Sequence, residues 1–155
     1  MDLVSIRVIT GDIARLVAFY EKATGLRAAW ATEDFAEIGT PAATLAIGST
    51  RTVPLFIPDD PGSVRPAANH SVIVEFLVED VDRVHANLAD HGVHLVQEPT
   101  TMPWGNRSLL VRDPDGTLVN FFTPVTPAAR AKFAARSEAR SAARSSVEPA
   151  VSGAS

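Results

Sequence analysis

Residues 3–10, LVSIRVIT, are apolar and β-branched, which predicts a strand. The next stretch, GDIARLVAFYEKATGL, changes period. Ile13, Leu16, Val17 and Tyr20 recur at helical spacing, Asp12 stands at the N-cap position and Gly25 at the stop. Four short strand-like runs follow: RAAWAT, FAEIG, ATLAIGS and TVPLFI. Turn signals such as Gly39-Thr40-Pro41 separate them. Residues 58–69, PDDPGSVRPAAN, read as a loop.

The pattern then restarts. HSVIVEFLVEDVDRVHANLADHGVHL again gives a strand, an aspartate, an amphipathic helix and a glycine. Asp12 matches Asp80, Arg15 matches Arg83 and Leu16 matches Val84, each pair 68 positions apart. A fixed offset marks two copies of one supersecondary unit. The second copy continues through LVQEPT, RSLLVRD and TLVNFFTP, so each unit reads as βαβββ. The fold class is therefore α+β. Module one spans residues 3–57 and module two 70–124. One unit has too small a core to stand alone, so both are expected to pack as one domain over 1–125.

After residue 125 the composition turns to Ala, Arg and Ser. Pro127 suits a first helical turn, and Ala and Arg favour helix, which predicts a helix over about 127–144. Its sparse apolar set centres on Phe133, the side chain expected to dock it. The last ten or so residues are expected to be disordered.

Composition narrows the function classes. The 155 residues contain no cysteine, which excludes disulfides, zinc–thiolate sites and a cysteine nucleophile. The N-terminus lacks a basic n-region and a long apolar h-region, and no run nears the roughly 18 apolar residues that span a bilayer. A cytoplasmic location without membrane association is expected. Net charge is −4. The segment after residue 125 carries five basic and two acidic residues, +3, which leaves −7 for the body. No basic stripe is visible there, so nucleic acid is not an expected partner. An acidic body serves solubility and would also attract a cationic ligand.

The paired units, the FYEKATGL helix end and the closing RDPDGTLVNFF together resemble the vicinal oxygen chelate superfamily of glyoxalases, extradiol dioxygenases, and fosfomycin- and bleomycin-resistance proteins. The resemblance covers residues 3–124 and implies two curved sheets forming a cup, in a homodimer whose cups are shared or completed across the interface. In the enzymes a divalent metal is held by one residue on the first strand and one near the last strand of each module, typically His, Glu or Gln. Carried onto this sequence, those positions fall seven residues before the helix-opening aspartates, at Ser5 and Ile73, four after the turn glycine, at Asn120, and within TLAIGS at Ala46. Ser, Ala, Ile and Asn suit neither zinc nor a hard divalent ion. No metal or other cofactor is expected. His70, His85, His91 and His94 have no fixed ligand spacing, although His91 and His94 flank Gly92 and could form a surface metal site.

Strand alternation puts Arg7 with Ser5 and Ile9 on the cup side, and Glu75 with Ile73 and Leu77. Arg7 and Glu75 are 68 apart, so each unit aims one charge inward, of opposite sign. They either pair with each other or with neighbours such as Arg107, or they orient a polar ligand. Asn120 shares its face with Leu118 and Phe122 and can donate and accept. Trp30, Phe35 and Phe56 bracket the cup or pack in the core, and Trp104, in TMPWGNRS, is a stacking lid or folds back on the sheet. The ligand-binding set is thus Arg7, Trp30, Phe56, Glu75, Trp104, Arg107, Asn120 and Phe122.

The resemblance is nearest to the metal-free bleomycin-resistance type, which implies binding of a small aromatic or amphiphilic molecule, as in drug sequestration. The alternatives are a metal-dependent lyase, isomerase or dioxygenase of the same superfamily, a metal-free enzyme using Glu75 as acid–base and Arg7 as anion stabiliser, and an interaction module recruited by the basic tail.

Overall fold

A computed structural model describes residues 3–89 and 91–145. Module one runs β1 (Ser5–Thr10), α1 (Ile13–Thr24), β2 (Ala29–Thr32), β3 (Phe35–Gly39) and β4 (Thr44–Ser49). Module two runs β5 (Ile73–Leu77), α2 (Val81–Ala89), β6 (His94–Thr101), β7 (Asn106–Arg112) and β8 (Leu118–Pro124), and α3 (Pro127–Ser145) follows. The two sheets have the same order, β1-β4-β3-β2 and β5-β8-β7-β6, with the first and last strands of each module parallel and the others antiparallel. This is the α+β fold of two βαβββ modules that the repeat implies.

Local chemistry explains the boundaries. Asp12 accepts the backbone N–H of Arg15 at 3.1 Å, and Gly25 ends α1 at φ 71°, where a side chain would be strained. Asp80 caps α2 in the same way, accepting from the N–H groups of Asp82 and Arg83. The repeat therefore preserves the cap as well as the helix.

TVPLFI is not a strand. Residues Thr50–Leu55 form a 3-10 helix. Pro54 has no N–H for a ladder, and Ser49 competes for the local backbone. Its Oγ accepts from Arg51 N–H at 3.1 Å, and its carbonyl accepts from Thr52 Oγ1 at 2.7 Å.

One core joins both modules. Leu16, Val17 and Tyr20 of α1 pack with Ile38 and Ile47 of the first sheet, Val84 and Leu88 of α2, and Leu109, Val119 and Phe121 of the second. Tyr20 and Asp113 tie the modules across 93 residues: the phenol donates to Asp113 Oδ2 at 2.9 Å. The other Asp113 oxygen accepts from the N–H groups of Asp115 and Thr117. Arg15 adds a bond to the Pro114 carbonyl at 2.8 Å. The RDPDG turn is thus a clamp between modules as well as a hairpin connection.

α3 extends from the second sheet. Its start is fixed by the N–H groups of Val125 and Thr126, which both bond the Gly105 carbonyl. Gly105 has φ 90°, and a Cβ there would collide with Thr126 Oγ1. Gly105→Ala is expected to destabilise the fold by about 1–3 kcal/mol through backbone strain, with the loss concentrated at α3. Hydrogen exchange in α3 measured against that in β7 checks this. The expectation of disorder falls on residues beyond 145, outside the described ones.

Candidate functional site

Each sheet has one face packed on α1 and α2 and an opposite face that these two helices leave open. Strand register decides which side chain goes where, since directly opposed residues share a face. In module one Arg7 pairs with Ala46, which pairs in turn with Glu37. In module two Glu75 pairs with Asn120, which pairs with Leu110. Gln97 opposes Leu110 across β6 and β7, so it joins the same open face. Ala46 and Asn120 hold equivalent places, beside Arg7 and Glu75, which are themselves equivalent.

The charged residues are held differently. Arg7 lies over two aromatic rings, its guanidinium carbon 4.7 Å from the Phe35 centroid and 5.0 Å from that of Phe56. The 3-10 helix that replaces the expected strand is what carries Phe56 to Arg7. A guanidinium held by ring faces keeps its in-plane N–H groups available. On the second sheet the Asn120 amide donates to Glu75 Oε1 at 2.8 Å. That bond fixes the amide orientation, because only its nitrogen can donate to a carboxylate. Among the described residues Asn120 Oδ1 is then buried without a partner, as is Asn106 Oδ1 on the same face of the sheet. Such an acceptor is costly unless a donor arrives.

Three residues of the expected binding set stand elsewhere or are already covered. Arg107 opposes Thr123, an odd step from Asn120, and so lies on the helix side. There it makes a bidentate pair with Asp82 of α2, at 2.7 and 2.8 Å. The guanidinium holds the Asp82 carboxyl below the usual carboxylate range, chiefly through these hydrogen bonds. Arg107 therefore pairs with neither Glu75 nor Arg7. Trp30 opposes Ala36, a core residue on the helix side, next to an irregularity in β2. Phe122 is on the open face but buried, with the Phe133 ring of α3 at 5.3 Å. Phe133 docks α3 as its isolation in the sequence implies, and fills one end of the face in doing so. Trp104 is 64% exposed in the β6–β7 turn.

The repeat, the order of elements and the register of both sheets agree with one family. A model of the Glyoxalase/Bleomycin resistance protein/Dioxygenase superfamily matches residues 2–121. The chain belongs to this superfamily. The uncharacterized protein YraH of Bacillus subtilis (strain 168) is 26% identical over 125 residues, covering 79% of this chain and 98% of YraH. Among solved structures, a family enzyme from Burkholderia phytofirmans PsJN superposes with a TM-score of 0.70 at 16% identity, over 81% of this chain and 100% of the other. A glyoxalase/bleomycin resistance protein/dioxygenase from Nocardioides gives 0.65 at 18% identity, over 82% and 85%. At these identities the structural likeness speaks for the fold.

The superfamily raises the question of a metal. At the four family positions this chain offers a serine hydroxyl, an amide and two side chains with no donor. Asn120 Oδ1 is an orphaned oxygen, but its amide is already turned to Glu75. Among the described residues no three His, Asp or Glu side chains gather in a metal-binding group. One carboxylate and one amide oxygen do not make the donor set of a divalent ion, so the residues present do not fit the metal. Among the same residues no helix is long and apolar enough to cross a membrane.

Proposed function

We propose that the protein binds a small aromatic or amphiphilic molecule, without a metal, in a cup completed by a second copy of the chain. The observation that carries this reading is the buried, unpartnered Asn120 Oδ1 beside Glu75. It is an acceptor prepared for a donor that the described residues do not supply. Arg7, held against Phe35 and Phe56, offers complementary N–H groups and an aromatic surround. Ligand sites combine apolar walls with a few placed polar groups in this way.

The second copy is supported by what the open faces leave to solvent. Ile73 is 49% exposed and Leu77 57%, next to the exposed Glu75. Among the described residues the two sheets share no strand ladder. Arg7 and Glu75 carry opposite charges at repeat-equivalent positions, a complementarity that suits bringing the first sheet of one copy to the second sheet of another. Such a cup suits holding a ligand, as in drug sequestration, with apolar and aromatic walls around a few placed polar groups. A cytoplasmic setting belongs to the same reading.

Tryptophan fluorescence of chelator-treated protein, titrated with a panel of aromatic natural products, tests it. Saturable quenching that chelator does not alter is expected, with Trp104→Phe reducing its amplitude. Quenching that requires added Ni, Mn, Fe or Zn would contradict the metal-free reading.

A further inference from the structure

We infer that the groove between α1, the end of α2 and the β7–β8 turn is a separate binding site for a small organic anion, a phosphate or carboxylate on an apolar body. The cavity there has a volume of about 620 Å³ and is lined by α1, the α2–β6 connection and the β7–β8 turn, with His94 and Arg112 from the adjoining end of the sheet; Arg7, Glu75 and Asn120 are not in its lining. That volume suits a drug-sized molecule.

The lining reverses the charge of the protein around it. Arg15, Lys22 and Arg112 contribute three fixed cations, and His91 and His94 two imidazoles. The chain as a whole is at −4. Among the described residues none of the three fixed cations takes part in an ion pair. Both arginines are oriented by carbonyls: Arg15 donates to Pro114 O at 2.8 Å and Arg112 to Gly116 O at 2.7 Å. A carbonyl fixes a guanidinium without cancelling its charge, so each remains able to form charge-assisted bonds.

Among the described residues the one carboxylate in the lining is already engaged. Asp113 is the carboxylate in the lining, and its two oxygens accept from Tyr20, Asp115 N–H and Thr117 N–H. The Leu88 carbonyl, at the negative end of α2, accepts from His91 N–H at 3.1 Å. Gly92, at φ 60°, reverses the chain so that the two histidines flanking it both reach the groove. Phe19, Leu88 and Val93 supply the apolar floor. A purely solvated basic patch would need no such floor.

Titration of the full chain with phenyl phosphate and with benzoate, followed by backbone amide NMR, tests the site. Saturable shifts at Gly92, His94 and Gly116 are expected with at least one of them. Neutral benzyl alcohol should leave those amides unmoved, and inorganic phosphate should bind more weakly. Lys22 is exposed, so Lys22→Glu should fold normally and weaken binding at least tenfold, whereas Lys22→Arg should retain it. Equal shifts with benzyl alcohol, or an affinity unchanged in Lys22→Glu, would overturn the proposal. So would shifts confined to the surroundings of Glu75 and Asn120, and so would inorganic phosphate matching both organic anions.

Discussion

Asp113→Ala is expected to destabilise the protein by about 3–5 kcal/mol, the cost of losing several hydrogen bonds to a carboxylate and leaving a buried donor unsatisfied. Asp113 is 5% exposed and Tyr20 0%. Alanine would remove three hydrogen bonds at once and strand the buried phenol, which then has no acceptor. Tyr20→Phe is milder, about 1.5–3 kcal/mol, the value of one hydrogen bond to a charged group. Thermal unfolding of the variants, at a few degrees per kcal/mol for a chain of this size, separates the two.

The Tyr20 effect should also depend on pH. Burial raises the Asp113 carboxyl above its ordinary value, while the Tyr20 hydroxyl and the two backbone N–H groups pull it back down. A raised carboxyl makes the folded state hold its proton more tightly than the unfolded state. The resulting stability is present below the unfolded value of 3.8 and is lost as pH rises through the folded value. Phenylalanine removes the largest of the lowering influences and so raises the folded value further. The loss in Tyr20→Phe should therefore be greater at neutral pH than in acid. Denaturant unfolding at the two pH values checks the sign.

The second large effect falls on binding. Arg7→Ala is expected to weaken an aromatic or amphiphilic ligand roughly ten- to hundredfold, which corresponds to losing one charge-assisted hydrogen bond of about 1.5–3 kcal/mol. Arg7→Lys should recover only part of this, since an ammonium lacks the flat guanidinium that lies against Phe35 and Phe56. Arg7 is exposed, so neither change should disturb folding, and calorimetric titration reads the affinity directly.

Periodicity carried the architecture. The 68-residue offset and the alternation of β1 and β5 placed Arg7 and Glu75 correctly on the open faces, because a strand's faces follow from its own sequence. What depends on neighbours was not legible. The side of Arg107 is set by the pairing of β7 with β8, and the side of Trp30 by an irregular stretch of β2. The failure of TVPLFI as a strand had a local sign in Pro54 and the preceding Ser49. The Tyr20–Asp113 bond had none. Tyr20 reads as one more apolar helical position and Asp113 as a turn residue, and only packing the modules brings them together. Gln97 and Asn106 joined the open face for the same reason as Arg107 left it. His91 and His94 were visible as a pair, but the groove they share requires α1 beside them.

The central claim is that the open faces carry a metal-free binding site. Its most direct test is an NMR titration of chelator-treated protein with the strongest quencher from the aromatic panel, observing the Asn120 side-chain amide and the backbone amides of Arg7 and Glu75. Saturable shifts at all three, unchanged when Ni, Mn, Fe or Zn is added, are the predicted result. Shifts that arise only after a metal is supplied, or that bypass Asn120, would contradict it.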